Sequence, residues 1–260
     1  ECMQKWRVSQ SYLKDIPLAY AGRLDPMASG ALLVLIGDEC KQQTAYHNLD
    51  KTYQVDILFG VASDSGDVLG IPSTTTPTTL PLLAVKKVLP ALRGPIELPY
   101  PHYSSKTVAG KPLHIWTLEG RLNEITIPTK TSTIHTLSVA NVTEITGAEV
   151  YTYVQRKIET IAPVTDTRKA LGKDFRRPDI RNAWNTWHDE HQDHSFTKAT
   201  ISCTASSGTY MRTLAATIGE ALGVPALAYH IHRTELGRYR PLFGNFGIWT
   251  TRYRSAPSAF

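Results

Sequence analysis

Residues 20–30 read Tyr20-Ala21-Gly22-Arg23-Leu24-Asp25-Pro26-Met27-Ala28-Ser29-Gly30, which sets one carboxylate between two glycines and directly before a proline. A residue that precedes proline is biased out of the helical region, so Asp25 is expected on a loop. The glycines permit turns and close backbone approach. The run Ala31-Leu32-Leu33-Val34-Leu35-Ile36 that follows reads as a buried strand. A carboxylate on a rigid loop against a core strand suits a nucleophile or a general base. The plainer reading is an aspartate that caps a turn.

A second chemical group lies in Ser207-Gly208-Thr209-Tyr210-Met211-Arg212, at a strand-to-helix corner. Arg212 falls in the first turn of a helix, where the macrodipole disfavours a cation. Such a position calls for a compensating carboxylate, and Asp25 is the candidate; a surface arginine in water is the alternative. Two clusters invite further roles. Arg168, Lys169, Lys173, Arg176, Arg177 and Arg181 form the densest basic run, either a solvated face or a clamp that tracks phosphates. The stretch His188-Asp189-Glu190-His191-Gln192-Asp193-His194 is rich in metal-ligating types. Its spacing fits no standard site and neighbouring ligands would diverge, so no metal is expected.

These groups must be positioned by regular elements. Residues 1–18 read as a helix with a basic side of Lys5, Arg7 and Lys14. Residues 31–37 and 52–60 read as strands, the second because Tyr53, Val55, Ile57 and Phe59 alternate with period two. Residues 60–70 are turn-rich, 71–81 are dominated by threonine and proline and read as a loop, and 82–92 read as a helix. Residues 125–145 and 196–205 carry strand-like β-branched content. Between them, 147–195 is basic at one end and His-rich at the other, and reads as an inserted helical element. The helix at 210–222 is the best defined. Met211, Leu214, Ala215, Ile218, Ala221 and Leu222 share one face, Thr209 can cap its start and Gly223 can end it. Strands dispersed among helices without strict alternation imply an α+β fold: a largely antiparallel central sheet flanked by helices, in a single domain over 1–260.

The 260 residues are 42% hydrophobic, enough for a large core. The net charge of +5 suits a polyanionic partner, although many enzymes of small substrates are as basic. Cys2, Cys40 and Cys203 are odd in number, far apart and in no paired motif. That fits a reducing compartment and offers neither a disulfide framework nor a zinc site. No apolar stretch approaches membrane-spanning length, and the start lacks a basic region followed by a hydrophobic one, so a cytoplasmic location is expected. The chain opens on Glu1 rather than methionine, which is consistent with a missing N-terminus.

The segment from Gly22 to Leu32 resembles the catalytic motif of the TruB family of tRNA pseudouridine synthases, Gly-x-Leu-Asp-Pro-x-Ala-x-Gly-x-Leu. The match runs Gly22, Leu24, Asp25, Pro26, Ala28, Gly30 and Leu32, seven fixed positions in eleven residues. Further segments follow in the family's order. Asp50-Lys51-Thr52-Tyr53 is similar to its Lys-x-Tyr segment. Residues 60–70 resemble Gly-x-x-Thr-Asp-Thr-x-Asp-x-x-Gly, with Ser63 and Ser65 for the threonines. Leu98-Pro99-Tyr100-Pro101-His102-Tyr103-Ser104-Ser105-Lys106, with Gly110-Lys111-Pro112-Leu113, is similar to Pro-Pro-x-Tyr-Ser-Ala-x-Lys and the Gly-x-x-Leu/Tyr after it. Residues 207–212 resemble Lys-Gly-Thr-Tyr-x-Arg, with Ser207 for the lysine. Ile231-His232-Arg233-Thr234 with Gly237-Arg238-Tyr239 resembles Leu-Arg-Arg-x-x-x-Gly-x-Tyr/Phe. The resemblance covers about residues 12–120 and 200–247 and leaves 147–195 unexplained.

What the resemblance implies is an isomerase that converts uridine to pseudouridine in the T-loop of tRNA, on a pseudouridine synthase fold whose cleft crosses the sheet. No metal and no cofactor are implied. The uridine must leave its stack and enter a pocket. Asp25 is implied as the nucleophile or as an aid to glycosidic cleavage, with Arg212 pairing with it. Tyr53 is implied as the platform that stacks on the base and relays its C5 proton. Ile231 is implied as an apolar wall of the base pocket. Tyr20, Gly22, Arg23, Lys106, Tyr210 and Arg233 complete the expected substrate-binding set. Tyr20 stands where the family carries a histidine that contacts RNA near the flipped nucleotide, which leaves the choice of uridine open. The residues after Tyr239 leave no room for the family's C-terminal PUA domain, and its N-terminal Lys-Pro-x-Gly-x-Thr segment is absent from these residues. The expected partner is the T-arm of tRNA, bound by a monomer without a membrane. Two alternatives stand beside this: the same chemistry on another RNA, such as an mRNA or another tRNA loop, or a non-catalytic RNA-binding or tRNA-folding protein on the same scaffold.

Overall fold

The period-two alternation from Tyr53 to Phe59 forms a strand near the middle of a twisted sheet, and the rest of the chain is arranged around it. The computed structural model describes residues 2–161 and 174–254, without the side chains of residues 2–5 and 175. In chain order the elements are α1 (Cys2–Ser9), β1 (Leu18–Ala21), β2 (Ser29–Gly30), β3 (Leu33–Ile36), β4 (Asp50–Phe59), β5 (Val61–Ser63), β6 (Pro72–Thr75) and α2 (Leu82–Val88). There follow β7 (Gly94–Pro99), β8 (Thr107–Val108), β9 (Lys111–Pro112), α3 (Leu113–Leu118), β10 (Thr129–Thr146), α4 (Gly147–Thr160) and α5 (Arg177–His191). The chain closes with β11 (Ser195–Ala205), α6 (Met211–Ala221), β12 (Ala226–Phe243) and β13 (Phe246–Arg254).

Strands β13, β12, β4, β11, β10 and β7 lie side by side in that order, each neighbouring pair antiparallel. The short β2 adds to β12 in parallel, Ser29 opposite His232 and Gly30 opposite Arg233. The fold is therefore α+β with a largely antiparallel sheet, and the parallel β2–β12 pairing ties the end of the Asp25 loop to it. Phe59, Leu58 and Ile57 of β4, Ile201 and Ala199 of β11, and Leu214 and Ile218 of α6 belong to one continuous buried core.

Three local expectations change. The N-terminal helix stops at Ser9 rather than continuing to residue 18, and β1 begins at Leu18. The chain leaves the helix at Gln10, whose backbone is extended (φ −118°, ψ 95°), and Pro17 keeps the helix from resuming before β1. The apolar run at 31–36 is not a core strand: β3 pairs with β1 in a separate two-stranded sheet, with Leu35 buried and Ile36 exposed. Its neighbour Leu33 packs on a satellite cluster of Ala31, Leu49 and Leu236. Part of the threonine-rich 71–81 stretch is β6, which pairs with β5; β-branched threonines tolerate that extended backbone.

The inserted segment leaves the end of β10 and returns at the start of β11, its sheet neighbour. Thr146 and Glu149 form a reciprocal capping box that starts α4. Val150, Val154 and Ile158 of α4, with Ile180, Trp184 and Trp187 of α5, make helical-period stripes that enter the main core. The Trp184 indole N–H donates to the Gly70 carbonyl at 3.0 Å, and that of Trp187 to Thr75 Oγ1 at 2.9 Å. The helices are thereby fastened to the β5–β6 turn. Trp184 is fully buried, so Trp184→Ala should cost about 3–5 kcal/mol of stability in equilibrium urea unfolding. A loss below about 1 kcal/mol would show that the inserted helices are not part of the core.

Candidate active site

Asp25 lies on the loop between β1 and β2, as its position before Pro26 demands. Its carboxylate is 26% exposed and meets Arg212 in a two-pronged arrangement. Arg212 Nε donates to Oδ2 at 2.9 Å, and Nη2 donates to Oδ1 at 3.1 Å. Arg212 is the second residue of α6, reached through a corner at Gly208, whose φ of 88° suits glycine. The guanidinium is 4% exposed. It also donates to the carbonyls of Ser65 (3.1 Å) and Tyr103 (3.3 Å), and Asp67 Oδ2 stands 3.6 Å from its Nε. Burial works against the charge on Arg212, yet the two carboxylates outweigh it and raise its pKa further.

Asp67 was not anticipated as a site residue. It is 4% exposed, and it accepts hydrogen bonds from the Ser65 hydroxyl (2.8 Å) and the Leu69 N–H (2.9 Å). Burial pushes its carboxyl above the usual range, with Arg212 and these donors pulling the other way. Ser65 and Asp67 read locally as turn chemistry, which hides a buried anion. The available clue was Arg212 itself: a buried cation at a helix N-terminus can draw on more than one carboxylate.

Tyr53 sits on β4 directly across from Cys203 of β11 and Arg233 of β12, so the three side chains share a row. Burial pushes the Tyr53 phenol up, against a pull from Arg233, and it stays protonated at neutral pH. Burial also pushes the Cys203 thiol up to about 12, which makes it inert. Ile231, two residues along from Arg233 and across from Val55, is 2% exposed and part of the core wall next to that row.

Arg233, expected among the substrate-binding residues, is completely buried. Its Nε donates to the Ala31 carbonyl (2.7 Å) and its Nη2 to the Gly22 carbonyl (2.9 Å), so it props both ends of the Asp25 loop from beneath. The Ala31 N–H returns a bond to the Arg233 carbonyl at 2.7 Å. A Cβ at Gly30 would stand 2.1 Å from that carbonyl oxygen, which is why the loop ends on glycine. Beside Arg233 lies Lys51, whose ammonium donates to the Leu49 carbonyl. Burial, with help from Arg233 and against Asp50, lowers the Lys51 pKa to about 8. A Cβ at Gly22 would come within 3.1 Å of Lys51 Cε. The loop therefore rests on two cations.

The remaining expected substrate-binding side chains are aromatic and basic. Tyr20 is half-buried at the end of β1, and exposed Arg23 reaches its hydroxyl at 3.5 Å. Tyr210, which precedes α6, meets Tyr100 edge to face with ring centroids 5.5 Å apart. Lys106 places its ammonium 5.2 Å from the Tyr100 centroid. The basic run of the insertion behaves differently from a free clamp. Arg168, Lys169 and Lys173 lie outside the described residues. Arg176 is paired with Asp64, Arg177 with Asp174 and Arg181 with Glu159. Among the described residues no cluster of His, Cys, Asp and Glu could hold a metal ion. His188 stacks on Tyr151 at 4.2 Å and His191 lies 5.2 Å from Trp187, so both serve packing.

Lys51 yields a pH test. A lysine whose folded pKa lies near 8 instead of 10.5 penalises the folded state fully below pH 8. That penalty, on the order of 3 kcal/mol, is relieved as pH rises from about 8 to about 10.5. The stability of the wild type relative to Lys51→Met should therefore climb across that window in urea unfolding. Parallel pH profiles for the two proteins would contradict the burial of a strained ammonium.

A model of the TruB family pseudouridylate synthase N-terminal domain matches residues 12–161. The tRNA pseudouridine synthase B of Bacillus velezensis is 29% identical over 241 residues, covering 92% of this chain and 61% of the relative. The protein of that name from Bordetella avium is 30% identical over 223 residues, covering 85% and 69%. The chain thus spans about 61% of the length of the Bacillus relative. A chain from a Cbf5-Nop10-Gar1 complex superposes with a TM-score of 0.46 at 16% identity, covering 91% of this chain and 44% of that one. The family match takes in the Asp25 loop, the Tyr53 strand and the Asp67 turn, more than half of the sequence, and on that ground the chain belongs to the TruB family of pseudouridylate synthases.

Proposed function

We propose that this chain isomerises uridine to pseudouridine in the T-loop of tRNA, with Asp25 as its reacting carboxylate. The observation that carries the reading is the two-pronged Arg212–Asp25 pair beside Tyr53. The names of the relatives support tRNA as the substrate, and the net charge of +5 suits a polyanion.

In this reaction the uridine flips out of its stack and its base lies against Tyr53. Asp25 either bonds to the ribose C1′ or takes a proton from C2′ as the glycosidic bond breaks. Both routes release a uracil anion that turns and rejoins C1′ through C5, a step that breaks the Asp25–C1′ ester in the first route and returns the proton from Asp25 to C2′ in the second. The proton left on C5 must then be removed and N1 must gain one, and the Tyr53 hydroxyl is the group placed to relay it. Arg212 fixes the direction in which the Asp25 oxygens point, which is where alignment contributes to rate. The buried surroundings hold the detached base, whose escape would leave an abasic site. The protein acts on the T-arm as a monomer in the cytoplasm.

Incubation with tRNA transcripts, followed by carbodiimide–primer extension, tests the reading. Wild type should form pseudouridine in the T-loop, and Asp25→Asn should lose at least about 10³-fold in rate. Tyr53→Phe should bind RNA normally and lose about 10²-fold or more. Failure of the wild type to form pseudouridine, or an equal yield from Asp25→Asn, would sink the assignment. Modification confined to another loop would keep the chemistry and overturn the target.

A further inference from the structure

The inserted helices touch the active-site framework through Arg176, the residue directly before α5. Its backbone is left-handed, with φ 60° and ψ 19°, a conformation that a residue with a side chain adopts only against a steric cost. The guanidinium grips both oxygens of Asp64: Nη1 donates to Oδ2 at 2.6 Å and Nη2 to Oδ1 at 3.2 Å. It also lies 4.2 Å from the centroid of the Tyr103 ring, and its side chain is only 15% exposed. Tyr103 donates its hydroxyl to the same Asp64 carboxylate at 3.4 Å, and Asp64 Oδ1 also accepts the Ile71 N–H at 2.9 Å.

Asp64 and Tyr103 are the places where the Arg212 framework is attached. Arg212 donates to the carbonyl of Ser65, the next residue after Asp64, and to the carbonyl of Tyr103 itself. A single side chain from the insertion thus ties together the two backbone segments that hold the counter-ion of Asp25. An exposed ion pair would do little here. This pair has a two-pronged geometry, a stacked aromatic face and low exposure, which mark the stronger kind. A phosphate-binding role fits poorly, because Asp64 and Tyr103 already occupy the guanidinium. The tryptophan bonds to Gly70 and Thr75 fasten α5 to the same turn and so deliver Arg176 from a fixed base.

We propose that Arg176 is a positioning residue of the active site, by which the inserted helices hold the Arg212–Asp25 pair in register; the proposal rests on the pseudouridine synthase reading above. Single-turnover pseudouridine formation on a T-arm RNA, at saturating protein, tests it with the full chain. Arg176→Gln should lower the rate constant about tenfold or more while the apparent Kd for the RNA stays within about twofold. Arg176→Lys, which keeps the charge and loses the fork, should recover part of that rate. Asp64→Asn, which removes the same fork from the other side, should reproduce the loss, and covers the case in which Arg176→Gln fails to fold. An unchanged rate constant with a raised Kd would make Arg176 an RNA contact and overturn the proposal. So would an unchanged rate and Kd with only a lowered Tm. A wild type that forms no pseudouridine would sink the reading of the site and this proposal with it, whereas an active wild type matched by Arg176→Gln sinks the proposal alone.

Discussion

The charge of Arg212 is opposed twice, by near-complete burial and by the positive end of the helix that carries it. A guanidinium is tolerated there only when its donors and its charge are both met. Asp25 meets Nε and Nη2, Asp67 adds a second carboxylate, and the carbonyls of Ser65 and Tyr103 take further bonds. These groups come from four separate stretches of chain: the β1–β2 loop, the β5–β6 turn, the loop after β7 and the start of α6. An exposed ion pair contributes up to about 1 kcal/mol, whereas stripping a partner from a buried one costs about 3–5 kcal/mol. On those magnitudes the four stretches converge because the buried cation requires it. Asp25, with a quarter of its surface open, is the part of this network that a substrate can reach.

A second pair of cations works from below. Arg233 and Lys51 bond to backbone carbonyls at Gly22, Ala31 and Leu49. They help to shape the loop, whose glycines have separate reasons: a side chain at Gly30 would collide with the Arg233 backbone, and Gly22 has a φ of 75° and a tight fit against Lys51. The loop is thus located by Arg212 from one side and by Arg233 from the other, which makes a short irregular segment as well placed as a regular element.

Much of this was legible because the determinants are local. Proline after Asp25 excludes a helix, the alternation from Tyr53 to Phe59 marks a strand, and the apolar face of 210–222 marks a helix that ends at Gly223. The demand of Arg212 for a carboxylate also follows from its place in a first turn. What escaped depends on distant partners. The basic run read as either a solvated face or a phosphate clamp, yet Arg176 and Arg181 find Asp64 and Glu159, which lie 112 and 22 residues away in sequence. Arg233 entered the expected substrate-binding set only through the family resemblance. Its parity with Leu227, Tyr229 and Ile231 along β12 points inward, and an arginine on the inward parity is a strut. The run at 31–36 is apolar enough for a core strand, but the two-residue β2 before it already takes the place beside β12, so it pairs outward with β1.

The central claim is that the fork on Asp25, and not merely a positive charge near it, sets the reactivity of the site. Arg212→Lys keeps the charge and loses the fork, so the direct measurement is the saturating single-turnover rate of pseudouridine formation for that variant, with RNA affinity followed in parallel. The account predicts a loss of about 100-fold or more with the apparent Kd within about twofold of wild type. A rate within about threefold of wild type would contradict it, because a lysine cannot hold both oxygens of Asp25 in the geometry that Arg212 imposes.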